Sequence, residues 1–378
     1  MPPFTPADDV YQGTTLSKSR NKPGDVSLRP VELKNYMCKI SLSYTHSQWK
    51  YTSSLFSLEI EIDYRRYPDI TMKVGLQVLE LDAPGKSSIY LLEEALEREC
   101  SVFIYPVKTL CICSGRVFAR GKYVESCHKG AITLSKEEIE VNLDTLDLLL
   151  MRNDPPFNMD YITATYILER SGALVVNNPV AVRNFPEKFV DYYEDTFPTL
   201  ISRDIWNIKL FIEQYREVVV KPLYAFAGID VTKISNANES TLARVQSLIE
   251  KTGTPVVIQK YDESVIEQGD KRVVVLNGGL LGCLKRHNKN SFITNLRQGG
   301  EFFSCTLTPI EEERCYKIAS DLKESGIILA GIDLVAGRIT EINVTSTACI
   351  AELNELYHIN TAARCFDVFE EMVWSHKR

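Results

Sequence analysis

No stretch of the sequence stays apolar for long enough to cross a bilayer, so a helical membrane span is excluded. Histidine is scarce: five residues are dispersed through 378, and nothing supports a Ser/His/Asp or Cys/His nucleophile. The ten cysteines lack zinc-ligand spacing, with only Cys111 and Cys113 close together, as C-x-C. A basic excess is missing as well. The 50 acidic residues against 43 lysines and arginines leave a net charge of -7, which argues against a nucleic-acid partner. The opening MPPFTPADDVYQ lacks the basic-then-apolar order of a secretory signal. The expectation is a cytoplasmic chain with reduced thiols, packed as small buried hydrophobes, and no membrane partner.

What is present is ordinary globular composition, 44% hydrophobic and 25% charged, with length enough for two or three domains. Asp8 to Val31 is polar and rich in Ser, Lys and Pro, the composition of a disordered arm. Ser41 to Asp69 shows some alternation at Leu58, Ile60 and Ile62 but no clean turn. Met72 then opens a well-formed strand, Lys73–Leu79, and is the expected functional start.

From Met72 short apolar runs alternate with helical periods, the signature of an α/β fold. Strands are expected at Val102–Tyr105, Leu148–Met151, Ala173–Val176, Thr199–Ile201, Val218–Val220 and Val256–Gln259. Helices are expected at Ser88–Glu99, Tyr161–Arg170, Pro186–Glu194, Ile205–Tyr215 and Thr241–Lys251, with Ser88 as a cap and Pro186 in a first turn. The last third turns antiparallel, so its class is α+β. Arg272–Leu276 and Leu280–Leu284 flank Asn277-Gly278-Gly279, and Ile327–Val335 and Arg338–Val344 flank Ala336-Gly337. A helix over Ile310–Glu324 joins the two hairpins.

The second hairpin carries the sharpest chemistry. Glu341 and Asn343 share one strand face, and a three-residue loop centred on Gly337 sets Asp333 opposite Glu341. Opposed carboxylates repel unless a cation lies between them, and hard oxygen ligands suit Mg²⁺. A solvated strand face with alternating polar residues would show the same spacing. Lys221 ends a buried strand, where a cation meets a phosphate well, and Lys188 is a second candidate; taken alone, each is far more often a surface lysine. Arg272 and Arg286, at the mouth of the first hairpin, could clamp an anionic transition state. The loop Asn295–Gly300 offers backbone amides to an anion.

Together these segments resemble bacterial-type glutathione synthetase, in the ATP-grasp superfamily. The resemblance rests on Leu150–Phe157, Ala164–Glu169, Val176-Asn177-Asn178-Pro179 with Arg183, Glu187-Lys188 and Val220–Leu223. It continues through Gln259-Lys260-Tyr261, Gly269–Arg272, Asn295-Leu296, Gly299-Gly300, Thr308-Pro309 and Gly331-Ile332-Asp333 with Glu341–Ser346. It covers Met72 to the end, and residues 1–71 have no counterpart. The resemblance implies an ATP-grasp fold behind an open α/β domain: residues 72–183 N-terminal, 184–262 a central lid and 263–378 catalytic. It implies ligation of γ-glutamylcysteine to glycine with ATP, through an acyl phosphate, with Mg²⁺ or Mn²⁺ as cofactor; the family also suggests a homo-oligomer. Carried over by position, Asp333, Glu341 and Asn343 match metal ligands. Lys188 and Lys221 match nucleotide lysines, and Arg272 and Arg286 match arginines near the transferring group, the latter across a one-residue gap. The Gln259–Asp262 segment matches the strand that meets adenine, and Gly228, Asp270 and Asn295 fall among the nucleotide positions.

Departures are concentrated around the lid. The family's Asp-Gly-x-Gly-Gly loop reads Tyr224-Ala225-Phe226-Ala227-Gly228 here. Family lysines become Asn153 and Asn178, Ser-Pro-Thr-Cys becomes Ser346-Thr347-Ala348-Cys349, and the substrate loop shortens to Asp82–Ser88. A related ATP-grasp ligase for another carboxylate and amine, or a catalytically silent nucleotide binder, would fit the same metal and nucleotide positions.

Overall fold

The structure is a computed structural model that describes residues 71–377 and, before them, strand segments at Glu32–Leu33, Tyr36–Met37, Lys39–Ser43 and Ser57–Glu61 (β1 to β4). β3 and β4 pair antiparallel, with Ile40 opposite Ile60 and Leu42 opposite Leu58, so the alternation seen there belongs to a strand pair. The expectation of poor order for the rest of that segment lies outside the described residues.

The first sheet begins with a right-sized β-α-β unit: β5 (Lys73–Val78), α1 (Lys86–Glu97) and β6 (Ser101–Pro106), whose strands run parallel. An antiparallel block follows: β7 (Cys111–Cys113), β8 (Arg116–His128), β9 (Ala131–Leu134) and β10 (Ile139–Asn142). The chain then returns through β11 (Leu148–Met151), α2 (Met159–Leu168), β12 (Leu174–Val176) and α3 (Pro179–Asn184). The order across the sheet is β10-β8-β6-β5-β11-β12, with β7 and β9 on β8. β5, β6 and β11 are almost wholly buried, which is why their sequences run apolar instead of alternating.

The central sheet has its own core. It holds β13 (Thr199–Ser202), α4 (Ile205–Tyr215), β14 (Val218–Pro222), β15 (Thr232–Ile234), α5 (Glu239–Thr252) and β16 (Val256–Lys260), in the order β13-β16-β14-β15. Ile208 and Ile212 on α4, and Val245 and Ile249 on α5, each stand one turn apart and pack on Val218, Val220, Val256 and Ile258.

The last sheet follows a short helix, α6 (Ser264–Gln268). β17 (Asp270–Leu276), β18 (Gly279–His287), β19 (Glu301–Ser304), α7 (Pro309–Glu324), β20 (Leu329–Val335) and β21 (Arg338–Asn343) give the order β19-β18-β17-β20-β21, and α8 (Ile350–Tyr357) and α9 (Thr361–His376) close the chain. Both hairpins turn on two residues of positive φ, Asn277 and Gly278 in one, Ala336 and Gly337 in the other. The first and last sheets share apolar core. Phe103, Leu149 and Leu168 lie in one cluster with Val273, Ile332 and Ile342. Asn177 joins the same two parts by polar contacts, donating to Leu329 O and Val344 O at 2.8 Å each and accepting from the Ile328 and Leu329 amides at 2.9 Å.

Three local expectations need correction. Pro186–Glu194 is not helical but a series of turns. Phe185 before the proline sits at φ -113°, ψ 89°, outside the helical region, and Glu187 bonds instead to strand backbone: Ile342 N reaches Glu187 O at 3.0 Å. Ser88 does not cap α1; Gly85 holds that position, and the buried Ser88 hydroxyl accepts from Arg152 Nε at 3.1 Å. The cysteines are not uniformly buried, since Cys111 and Cys113 are exposed and Cys283 and Cys305 half-buried, although all those among the described residues are free thiols.

Candidate functional site

An open cleft lies between the central and last sheets, and every site residue singled out from the sequence lines it: Lys188, Lys221, Gly228, Gln259, Lys260, Tyr261, Asp270, Arg272, Arg286, Asn295, Asp333, Glu341 and Asn343. The pairing of Asp333 with Glu341 is reached by a different route from the three-residue loop. The loop has two residues, with Val335 opposite Arg338, and a bulge between Asp333 and Leu334 makes up the extra residue so that Asp333 falls opposite Glu341. Thr340 is that extra residue, and its hydroxyl donates to Asp333 O at 3.2 Å.

At the floor, two guanidiniums and two carboxylates interlock. Register places Asp270 opposite Arg286 and Arg272 opposite Asp333, so the four side chains meet on one face of β17, β18 and β20. Arg272 grips Asp333 bidentately, through Nε to Oδ1 and through Nη2 to Oδ2 at 2.8 Å. Arg286 does the same to Asp270, at 2.9 and 2.5 Å, and its Nη2 also stands 3.0 Å from Asp333 Oδ2. All four are buried, and the local charges cancel. Burial alone would push the Asp333 carboxyl up, but Arg272 and Arg286 overcome it and hold the group at about 2. Gly269, with φ 71°, precedes this floor, and a Cβ there would lie 2.0 Å from Arg286 O. Only glycine fits.

Two lysines stand above it. Lys188, buried, reaches Glu341 Oε1 at 3.0 Å and Ala225 O at 2.6 Å. Lys221 Nζ donates to Gln259 Oε1 at 3.1 Å, and burial lowers its pKa from the usual lysine value. Gln259 Nε2 donates in turn to Thr199 Oγ1 at 3.1 Å. Apolar side chains also line the cleft, among them Phe197, Val219, Ile229, Val231, Val265 and Phe292. Lys233 Nζ sits 3.8 Å from the ring centroid of Tyr261, a lining residue, and pairs with Glu217 at 2.8 Å.

The Tyr224–Gly228 loop covers one side. Ala227 adopts φ 56° and Gly228 φ 74°, so alanine occupies the left-handed region beside the one retained glycine. Aromatic contacts hold the loop. Phe157 stacks on Tyr224 at 6.0 Å, and Arg297 lies 5.7 Å from the Phe226 ring while pairing with Asp154 at 2.6 Å. Sequence reasoning missed these partners, along with Thr199, Lys233 and the apolar wall. Their signal is contact across distant segments, which no local pattern carries.

Among the described residues, no group of three or more His, Cys, Asp or Glu side chains gathers as a metal site. Asp333, Glu341 and Asn343 form a different donor set, two opposed carboxylates and an amide, with the Asn343 amide 3.4 Å from Asp333 Oδ2. Hard oxygen donors of this kind fit a divalent cation that also takes oxygens from phosphates.

Comparison with known proteins decides the family. The model for the prokaryotic glutathione synthetase N-terminal domain matches residues 72–183, and that for the prokaryotic glutathione synthetase ATP-grasp domain matches 185–358. The chain belongs to the prokaryotic glutathione synthetase family. It is 34% identical over 306 residues to a glutathione synthetase of Anaplasma centrale, covering 79% of this chain and 97% of the relative. With the Mesorhizobium japonicum glutathione synthetase it shares 33% over 311 residues, covering 79% and 98%. D-cycloserine synthetase DcsG superposes with a TM-score of 0.56 at 14% identity, over 78% of this chain and 99% of that one. The macrocyclase MdnC of Microcystis aeruginosa, bound with its precursor peptide, gives 0.52 at 14%, over 79% and 100%. With the match to the ATP-grasp domain, these likenesses show the ATP-grasp fold. The family makes the chain an ATP-dependent ligase with glutathione synthetase function.

Proposed function

We propose that this cleft ligates γ-glutamylcysteine to glycine at the expense of ATP, releasing glutathione, ADP and phosphate. The observation that carries the proposal is the convergence of paired arginines, opposed carboxylates and two lysines in one cleft that apolar side chains also line. A planar base suits the apolar wall beside Gln259, Lys260 and Tyr261, with Gly228, Asp270 and Asn295 completing the nucleotide site. Lys188 and Lys221 neutralise the polyphosphate. Asp333, Glu341 and Asn343 would hold Mg²⁺ or Mn²⁺, which when bound screens phosphate charge and polarises the P–O bonds. Arg272 and Arg286 face the transferring group and stabilise the charge that spreads over its oxygens. The cysteinyl carboxylate attacks the γ-phosphorus, ADP leaves, and the glycine amine displaces phosphate from the acyl phosphate. What the cleft contributes is chiefly positioning and water exclusion. Free thiols among the described residues support a reducing, cytoplasmic setting.

The test is ADP release by the whole chain with ATP and Mg²⁺, with γ-glutamylcysteine and glycine added singly and together. Release that requires both supports the proposal. Release with another carboxylate–amine pair and not this one would make the chain a ligase of different substrates, and none with any pair would make it a silent nucleotide binder.

A further inference from the structure

On the far side of the catalytic sheet, β18 and the chain leaving β19 bring two cysteines together. The β18–β19 register runs Arg286 to Phe302, Lys285 to Phe303 and Leu284 to Ser304, and one step further sets Cys283 against Cys305. Their sulfurs lie 3.7 Å apart, and Cys283 Sγ is also 3.3 Å from Cys305 O. No ladder hydrogen bond joins these two residues. The Tyr357 hydroxyl takes the place of that bond, accepting from Cys305 N at 3.1 Å and lying 2.8 Å from Cys283 O and 3.0 Å from Cys305 O. Sulfurs 3.7 Å apart need only a small side-chain movement to reach disulfide bonding distance. The two thiols are half-buried, open enough for a small reagent, whereas Cys315 nearby on α7 is fully buried. Strand alternation turns Cys283 away from the face that carries Arg286, so this pair is separate from the ligation site.

We propose that Cys283 and Cys305 form a thiol–disulfide exchange site, closing to an intramolecular disulfide on reaction with a low-molecular-weight disulfide. In the first step Cys283 thiolate attacks one sulfur of the small disulfide R–S–S–R. That S–S bond breaks, a protein–S–S–R bond forms and RS⁻ leaves to take up a proton. In the second step Cys305 gives up its proton and attacks the Cys283 sulfur, expelling the second RS⁻. Two protein thiols are oxidised, one small disulfide is reduced to two thiols, and two electrons pass between them. Cys283 is the attacking partner: the hydrogen bond from the Cys305 thiol lowers its pKa, with Lys271 adding to the effect, while the same contact raises that of Cys305. The closed bond would fasten β19, at the edge of the sheet, to the strand that carries Arg286.

The experiment incubates the folded full-length chain with glutathione disulfide, blocks remaining thiols and maps peptides by mass spectrometry. The expected product is a Cys283–Cys305 cross-link reversed by dithiothreitol. Cys305→Ser should stop at a mixed disulfide on Cys283, and Cys283→Ser should leave Cys305 reacting at least tenfold more slowly than Cys283 does in the first variant. Both thiols remaining alkylatable, or each carrying a separate mixed disulfide with no cross-link, would overturn the proposal. The readout is independent of turnover, so its failure leaves the ligase reading untouched, and the converse also holds.

Discussion

Asp333 is the residue on which most of the cleft's electrostatics turns. It is 5% exposed and lies between Arg272 and Arg286, so its charged form is fixed by two guanidiniums, of which Arg286 also holds Asp270 while Arg272 pairs with Asp333. Its folded pKa of about 2 lies below that of an unfolded aspartate. The resulting stability is therefore complete above roughly pH 4 and is lost as the pH falls toward 2, an effect on the order of 2 kcal/mol. Urea midpoints measured from pH 5 to pH 2 should fall more steeply for the native chain than for Asp333→Asn, and parallel curves would contradict the pairing. Lys221 makes the opposite argument. Burial disfavours its charge and its side-chain partner is the neutral Gln259, an arrangement suited to an incoming anion. Lys221→Met should weaken ATP binding by at least tenfold, about 1.4 kcal/mol, while leaving the ligand-free melting temperature no lower. Unchanged nucleotide affinity in a titration would remove this lysine from the site.

At the scale of elements, the hairpins were readable because turn chemistry is local: Asn277-Gly278 favours paired positive φ wherever it stands, and Gly337 marks the second turn, although Ala336 at φ 46° was not foreseeable from its residue type. The bulge at Thr340 was not readable. It depends on how β21 seats against β20, and it rescued the Asp333–Glu341 pairing from an incorrect loop length. Pro186–Glu194 had helical periodicity, but Glu187 accepts from Val344 N at 2.8 Å and from Thr345 N and Oγ1 at 3.0 and 2.9 Å, so long-range bonds won over local preference. The lid loop was legible as a departure without its consequence. Sequence shows glycines replaced; only the fold shows Ala227 at φ 56° and the loop tethered by Phe157 and Arg297. A left-handed alanine costs roughly 1–2 kcal/mol, more than the 0.5–1 kcal/mol entropic penalty of glycine. Ala227→Gly should therefore raise folding stability by up to about 1 kcal/mol in urea titration. A loss of the same size would show that the alanine side chain is needed for packing.

At the scale of the whole molecule, the first and last sheets share apolar core although the central sheet separates them along the chain, while that intervening sheet packs on a core of its own. The family matches begin at residue 72, and residues 71–378 form one contact unit. A chain starting at Met72 should fold and retain its turnover; insolubility or loss of activity would assign residues 1–71 a necessary role. The ligase reading as a whole is tested most directly by isotope transfer. γ-Glutamylcysteine labelled with ¹⁸O in the cysteinyl carboxylate is turned over with ATP, Mg²⁺ and glycine, and the products are weighed. Activation of that carboxylate by phosphorylation predicts one ¹⁸O in each phosphate released, with glutathione formed in equal amount. Phosphate formed without label, with the lost ¹⁸O recovered in water instead, would contradict it.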